Sequence, residues 1–125
     1  MPIVLAVALG GALGSAARYG VDRLIERRSF AVFPWSTFTI NATGCLLIGV
    51  VVAALVDRHH TPAWIRVGLV MGVLGGYTTF STFAQEGLSL LEEGKGAVSL
   101  LYLVTSVVAG VSAVWIGLRL GRAIP

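Results

Sequence analysis

Charge is what this chain has least of. Charged residues make up 12% of its 125 positions, about half the share of a soluble domain. So few charges cannot furnish a water-facing surface, which excludes an ordinary soluble domain. Cysteine is almost absent as well. Cys45 is the only one, so neither an intrachain disulfide nor a thiolate metal cluster can form, and a small packing role is expected for it. The two histidines, His59 and His60, are adjacent in a short polar stretch; they are not spaced along one helix face and are expected to be solvated. There is no internal repeat, no low-complexity tract and no polar segment long enough for a second domain. None of these residues assembles an enzyme's constellation, and the expectation is a non-enzyme.

What the chain has is apolar surface. Hydrophobic residues supply 56% of the sequence, with a mean hydropathy of +0.87. The length accommodates about four membrane spans of roughly 20 residues each. The predicted fold is an all-α integral membrane protein with one four-helix transmembrane domain over residues 1–125. The first span reads from Ile3 to Ile25. No basic segment precedes it, and polar residues begin only at Arg18 and Asp22, so a span is expected there instead of a secretory signal. The second reads from Ser36 to Val56, opened by Pro34-Trp35, a proline suited to a helix start and a tryptophan suited to the interface. The third runs from Trp64 to Leu91 and the fourth from Ala97 to Leu118.

The net charge of +3 would point to nucleic acid in a soluble chain. Here the basic residues fall near span ends, where membrane anchoring accounts for them and no nucleic-acid partner is expected. Four spans place Arg58, Arg66, Arg119 and Arg122 in one compartment and Arg18, Arg23, Arg27, Arg28 and Lys95 in the other. Four against five gives no orientation under the positive-inside rule. Insertion both ways, with head-to-tail pairing as an antiparallel dimer, is the expected consequence. Small-xxx-small pairs at Gly10/Gly14, Gly68/Gly72, Gly72/Gly76 and Gly117/Gly121 allow close backbone approach and add to the oligomeric reading.

One stretch breaks the apolar monotony. Gly75-Gly76-Tyr77-Thr78-Thr79-Phe80-Ser81-Thr82-Phe83 places four serine or threonine hydroxyls, two glycines and three aromatics in mid-span. Unpaired polar groups and loosened backbone are costly against hydrocarbon, so this segment is expected to face protein or a polar path. The glycines and β-branched threonines predict a helix break, and unwound carbonyls in such breaks can coordinate a cation. Phe80 and Phe83 share a helix face; packing is their ordinary role, but ring edges are also weakly attractive to anions. Asn41, beside Thr39 and Thr43, can hydrogen-bond either an anion or a neighbouring helix. Arg18 can snorkel, pair with Asp22 at i+4, or make a positive vestibule.

These residues resemble the Fluc/CrcB fluoride channels. The likeness is carried by the Gly75–Phe83 run, by Gly10-Gly11-Ala12-Leu13-Gly14 leading to Arg18-Tyr19, and by Thr37-Phe38-Thr39-Ile40-Asn41 leading to Gly44 and Gly49. The resemblance implies a dual-topology antiparallel homodimer in the cell membrane, with two pores along the subunit interface that passively export cytoplasmic fluoride. It implies that Phe80 and Phe83 line the pores, that Asn41 is the pore asparagine, and that Arg18 lies near the vestibule. Gly75 and Thr78 would hold a structural Na+ through backbone carbonyls. Tyr102 and Ser106 would belong to a polar track that Thr79, Ser81 and Thr82 extend, with Gly110 standing where relatives can carry a serine. Glu86 fits a family position and could instead pair with a basic group. A small dual-topology multidrug or cation exporter is the alternative, but it would want an embedded carboxylate, and the first span has none before Asp22. A purely structural membrane subunit ranks third, since it has no use for a hydroxyl-rich third helix.

Overall fold

In lipid, a chain this apolar can satisfy its backbone only within helices or a closed barrel. The computed structural model, which describes residues 2–56 and 61–124, is helical in its described spans except at Thr78 and Thr79. Helix α1 is Ile3–Glu26. Helix α2 is Trp35–Val51, prolonged by wider π-helical turns over Val52–Val56. Helix α3 has three parts, Ala63–Val67, a π-helical stretch Gly68–Leu74 and a last turn Gly75–Tyr77. Helix α4 is Phe80–Glu92 and α5 is Gly96–Ala123. Taking α3 and α4 as one span, four segments are long and apolar enough to cross a membrane. Asp57, Arg58, His59 and His60, including the solvated pair expected from sequence, lie outside the described residues.

The helix boundaries have local causes. Pro2, Pro34 and Pro62 each precede a helix, and their carbonyls accept the first backbone bonds, from Ala6, Phe38 and Arg66. A proline there forfeits only an N–H that no helical partner awaits. Between α4 and α5 the chain reverses at Gly94, whose φ of 74° favours glycine. The N–H of Lys95 donates to Leu90 and that of Gly94 to Leu91, at 2.8 and 3.0 Å, closing the carbonyl end of α4. Helix α5 runs five residues past its predicted end at Leu118. Arg119 lies over the Trp115 ring at 5.3 Å, so its charge is accommodated on the helix surface.

The glycine pairs correct the oligomeric reading made from their spacing. They are occupied within the chain. Helix α1 lies on the Gly68–Leu74 stretch and α2 lies along α5. A Cβ at Gly10 would come within 2.5 Å of the Gly68 carbonyl, and one at Gly14 would collide with that of Val73. On the other pair, a Cβ at Gly117 would collide with the Leu46 carbonyl and one at Gly121 would reach Val50 at 2.6 Å. Spacing shows that a helix face is thin, but not which neighbour fills it.

The interior is polar for so apolar a chain. Ser36, Thr37, Thr79 and Ser99 are buried, while Leu13, Met71, Val111 and Trp115 stand exposed on the outside. A soluble fold would reverse that arrangement; hydrocarbon accepts it. Replacing Gly117 with alanine is expected to cost about 1–3 kcal/mol by overpacking the α2–α5 seam. Gly20→Ala, where an added Cβ meets nothing within 4 Å, is expected to be neutral or slightly stabilising. Thermal unfolding in detergent compares the two, and equal melting midpoints would contradict the packing described.

Candidate ion path

The α3–α4 junction is where regular helix stops. Thr78 (φ −79°, ψ 160°) and Thr79 (φ −148°, ψ 116°) are extended, which frees backbone groups at mid-span depth. Those of Thr78 and Thr79 find partners. The Thr79 N–H would bond the Gly75 carbonyl in a continuous helix; it donates instead to Asn41 Oδ1 at 2.8 Å, while Asn41 Nδ2 donates to the Thr79 carbonyl at 2.9 Å. One amide side chain on α2 thus takes both polar groups of a residue on the opposite element. The Thr78 hydroxyl donates to the Leu74 carbonyl at 3.0 Å, and the Thr78 carbonyl accepts from Arg18 Nη1 at 3.2 Å. The Thr79 hydroxyl caps α4, accepting from the Thr82 N–H at 3.3 Å and donating to the Thr82 hydroxyl at 3.0 Å. The Ser81 hydroxyl lies 3.5 Å from that of Thr79.

Arg18 therefore does not pair with Asp22. Its guanidinium turns inward to the junction, and Asp22 instead accepts a hydrogen bond from the Ser36 hydroxyl. Ser15, one turn before Arg18, donates to the Gly76 carbonyl at 3.4 Å. The ion pairs among the described residues, Arg23–Glu26 and Lys95–Glu93, lie at exposed helix ends.

Beside the junction runs a groove of about 430 Å³. Asn41, Gly75, Thr78, Thr79, Phe80, Phe83 and Ser106 line it, with Cys45, Gly110 and aliphatic side chains of α2, α3 and α5 completing the wall. Asn41 has spent one amide hydrogen on Thr79 and keeps the other. Ser106 Oγ is buried with no hydrogen-bond partner among the described residues. Phe80 and Phe83 have ring centroids 5.7 Å apart and tilted by 47°, and Phe80, though it lines the groove, is 80% exposed.

The remaining sequence candidates sit elsewhere. Arg18, Ser81, Thr82 and Tyr102 do not line the groove. Tyr102 is fully buried, and its hydroxyl donates to Glu86 Oε2 at 2.7 Å while the Thr37 hydroxyl donates to Oε1 at 2.9 Å. Among the described residues Glu86 pairs with no basic group; it ties α2, α4 and α5 together through two hydroxyls. This Thr37–Glu86–Tyr102 link, whose bonded pairs lie 49 and 16 residues apart in sequence, has no spacing signal that could have disclosed it. Nor does the aromatic chain around it. The Tyr102 ring meets Phe83 at 5.3 Å and Phe33 at 5.4 Å, both edge to face, and Phe33 stacks on to Trp35 and Phe38.

Comparison with known proteins decides the family. The model of the CrcB-like protein, Camphor Resistance (CrcB) family matches residues 5–118. The chain belongs to the CrcB family. A relative from Acidobacterium capsulatum, named fluoride-specific ion channel FluC, is 46% identical over 120 residues, 94% of each chain. One of the same name from Chloroflexus aurantiacus is 44% identical over 119 residues, 95% of this chain and 94% of the relative. A third, fluoride-specific ion channel FluC 1 from Nitrobacter hamburgensis, is 43% identical over 121 residues, 97% and 96% of the two chains. With four spans and this kinship, the chain is a multi-pass membrane protein of a channel family, not an enzyme.

Asn41→Ala removes both bonds to the Thr79 peptide and leaves a buried N–H and C=O unpaired. At about 1–3 kcal/mol for each orphaned group, a loss of roughly 2–6 kcal/mol is expected, read as a lowered unfolding midpoint and faster amide exchange at Thr79 and Phe80. Wild-type exchange at those two amides would contradict the clasp.

Proposed function

We propose that the protein is a fluoride-selective channel that passively exports cytoplasmic fluoride across the cell membrane. It works as an antiparallel, dual-topology homodimer with two pores along the subunit interface. The observation that carries this reading is the groove itself, which combines a half-used amide, an unpartnered hydroxyl and two phenylalanine rings within an apolar wall. The names of the relatives supply the ion.

The physics of such a path is a stepwise replacement of water. Fluoride is small and strongly hydrated, and bare in hydrocarbon it meets a prohibitive desolvation cost. The free Asn41 N–H and the Ser106 hydroxyl donate to it in turn. The edges of Phe80 and Phe83 carry positive potential and attract it too weakly to hold it. Favourable entry with easy exit is what conduction requires. The Thr79 hydroxyl, committed to capping α4, serves the path indirectly by shaping the turn that presents Phe80 and Phe83. Arg18 adds positive charge behind the junction.

Two observations support the paired assembly. Phe80 lines the groove yet is largely exposed, and a second copy would cover it. The loop charges balance four to five, which gives insertion no preferred direction. At the pair's centre, a sodium ion would be held by the carbonyls of Gly75 and Thr78. The residues fit that role: Asn41 has taken the N–H that would otherwise occupy the Gly75 carbonyl, and the Thr78 carbonyl keeps one lone pair beside its Arg18 bond. Bound there, the ion would supply positive charge that ties two broken helices together. The exporter alternative gains nothing from Glu86, since both its oxygens already accept hydroxyl donors.

In liposomes loaded with fluoride, the wild-type protein is expected to release the ion rapidly, and Phe80→Ile or Phe83→Ile to suppress release at least tenfold while dimers persist. Undiminished flux in both variants would remove the rings from the path. For topology, a single cysteine placed in the α4–α5 turn of a Cys45→Ser background is expected to be labelled from both sides of one membrane. Labelling from one side alone would contradict dual insertion.

A further inference from the structure

The Phe83 ring lines the groove, and something must fix the way it faces. Its neighbour Phe80 is largely exposed and cannot brace it. The backbone of α4 is held one turn on, where the Ser99 hydroxyl donates to the Gly87 carbonyl at 2.7 Å, but that bond places the helix and not the ring. The ring's other aromatic neighbour is Tyr102, fully buried and 5.3 Å away. Tyr102 is held at its tip, where its hydroxyl donates to Glu86. That hydroxyl lies on the axis about which the ring turns, so the bond fixes the tip and leaves the plane free. A perpendicular ring packed on Tyr102 removes that freedom, and Phe33 supplies one at 5.4 Å and 85°.

Phe33 is well placed to hold still. It sits in the connection between α1 and α2, immediately before Pro34, whose ring fixes the backbone at φ −74°. The Trp35 N–H donates to the Phe33 carbonyl at 2.8 Å, and the rings of Trp35 and Phe38 flank that of Phe33 at 4.6 and 5.6 Å. We propose that Phe33 is a positioning residue for the ion path, acting through Tyr102 to set the plane of Phe83. This rests on the channel reading above. Tilted aromatic pairs have preferred geometries because the ring face is negative and the edge positive. The same polarity decides what Phe83 offers an anion, since a turned ring presents its repelling face. A residue of the connecting loop thus sets the electrostatics of the groove wall by contact through one intervening ring.

Fluoride release from liposomes and the ring signals of Phe83 test this together. Phe33→Ala is expected to slow release about fivefold, the rate equivalent of one aromatic pair. Phe33→Tyr keeps the ring and is expected to restore the wild-type rate. Tyr102→Leu removes the intervening ring, and adding Phe33→Ala to it is expected to slow release no further; a residue that merely stabilised the loop would add its full effect. In detergent, the Phe83 ring resonances, assigned by their loss in Phe83→Ile, are expected to move in Phe33→Ala and to return in Phe33→Tyr. Wild-type release from Phe33→Ala, a full second loss in the Tyr102→Leu background, or unmoved Phe83 resonances would each overturn the positioning role while leaving the channel reading intact. Absence of fluoride release from the wild type would overturn both.

Discussion

An interrupted helix in a membrane must find a partner for every backbone group it releases, because hydrocarbon offers none. Nearly everything distinctive in this protein follows from that constraint at Thr78 and Thr79. Asn41 answers it by clasping the Thr79 peptide from both sides, Arg18 by bonding the Thr78 carbonyl, and the Thr79 hydroxyl by capping the helix that restarts. Three elements distant in sequence are thereby fixed to one point. The restart sets where Phe80 and Phe83 stand, and the Thr79 N–H goes to Asn41 instead of the Gly75 carbonyl.

The rest of the bundle supplies rigidity for that junction. Lipid gives helices no hydrophobic reason to associate, so close packing and buried hydrogen bonds must do it. Glycines bring α1 against α3 and α2 against α5. Glu86 then joins α4 to α2 and α5 through Thr37 and Tyr102. An embedded carboxylate is expensive unless it is hydrogen-bonded, and two hydroxyls offset that cost. The same two hydroxyls place the Tyr102 ring against Phe83, so the aromatic wall and the polar interior are held by one cluster.

Much of this was legible in the chain. Long apolar runs bounded by Pro34, Pro62 and the Glu92–Gly96 turn mark the spans to within a few residues, because hydropathy and punctuation act locally. The hydroxyl-rich run at Gly75–Phe83 marks the helix junction for the same reason. What a residue faces is another matter. The glycine pairs looked like a surface for a second copy and are spent inside the chain. Arg18 has Asp22 four residues on, yet bonds a carbonyl sixty residues away. Glu86 finds hydroxyls instead of a cation, and Tyr102 turns to Glu86 instead of the groove. In each case the decisive neighbour comes from another helix, and periodicity along one helix carries no information about it.

The central claim is that this bundle lets fluoride move passively and selectively. Ion release from proteoliposomes tests it when a potassium ionophore is added or withheld and fluoride-loaded and chloride-loaded vesicles are run in parallel. The account predicts rapid fluoride release only once the ionophore carries compensating charge, with chloride retained in both conditions. Equal release of chloride, or fluoride movement that requires a proton gradient and ignores the ionophore, would contradict it.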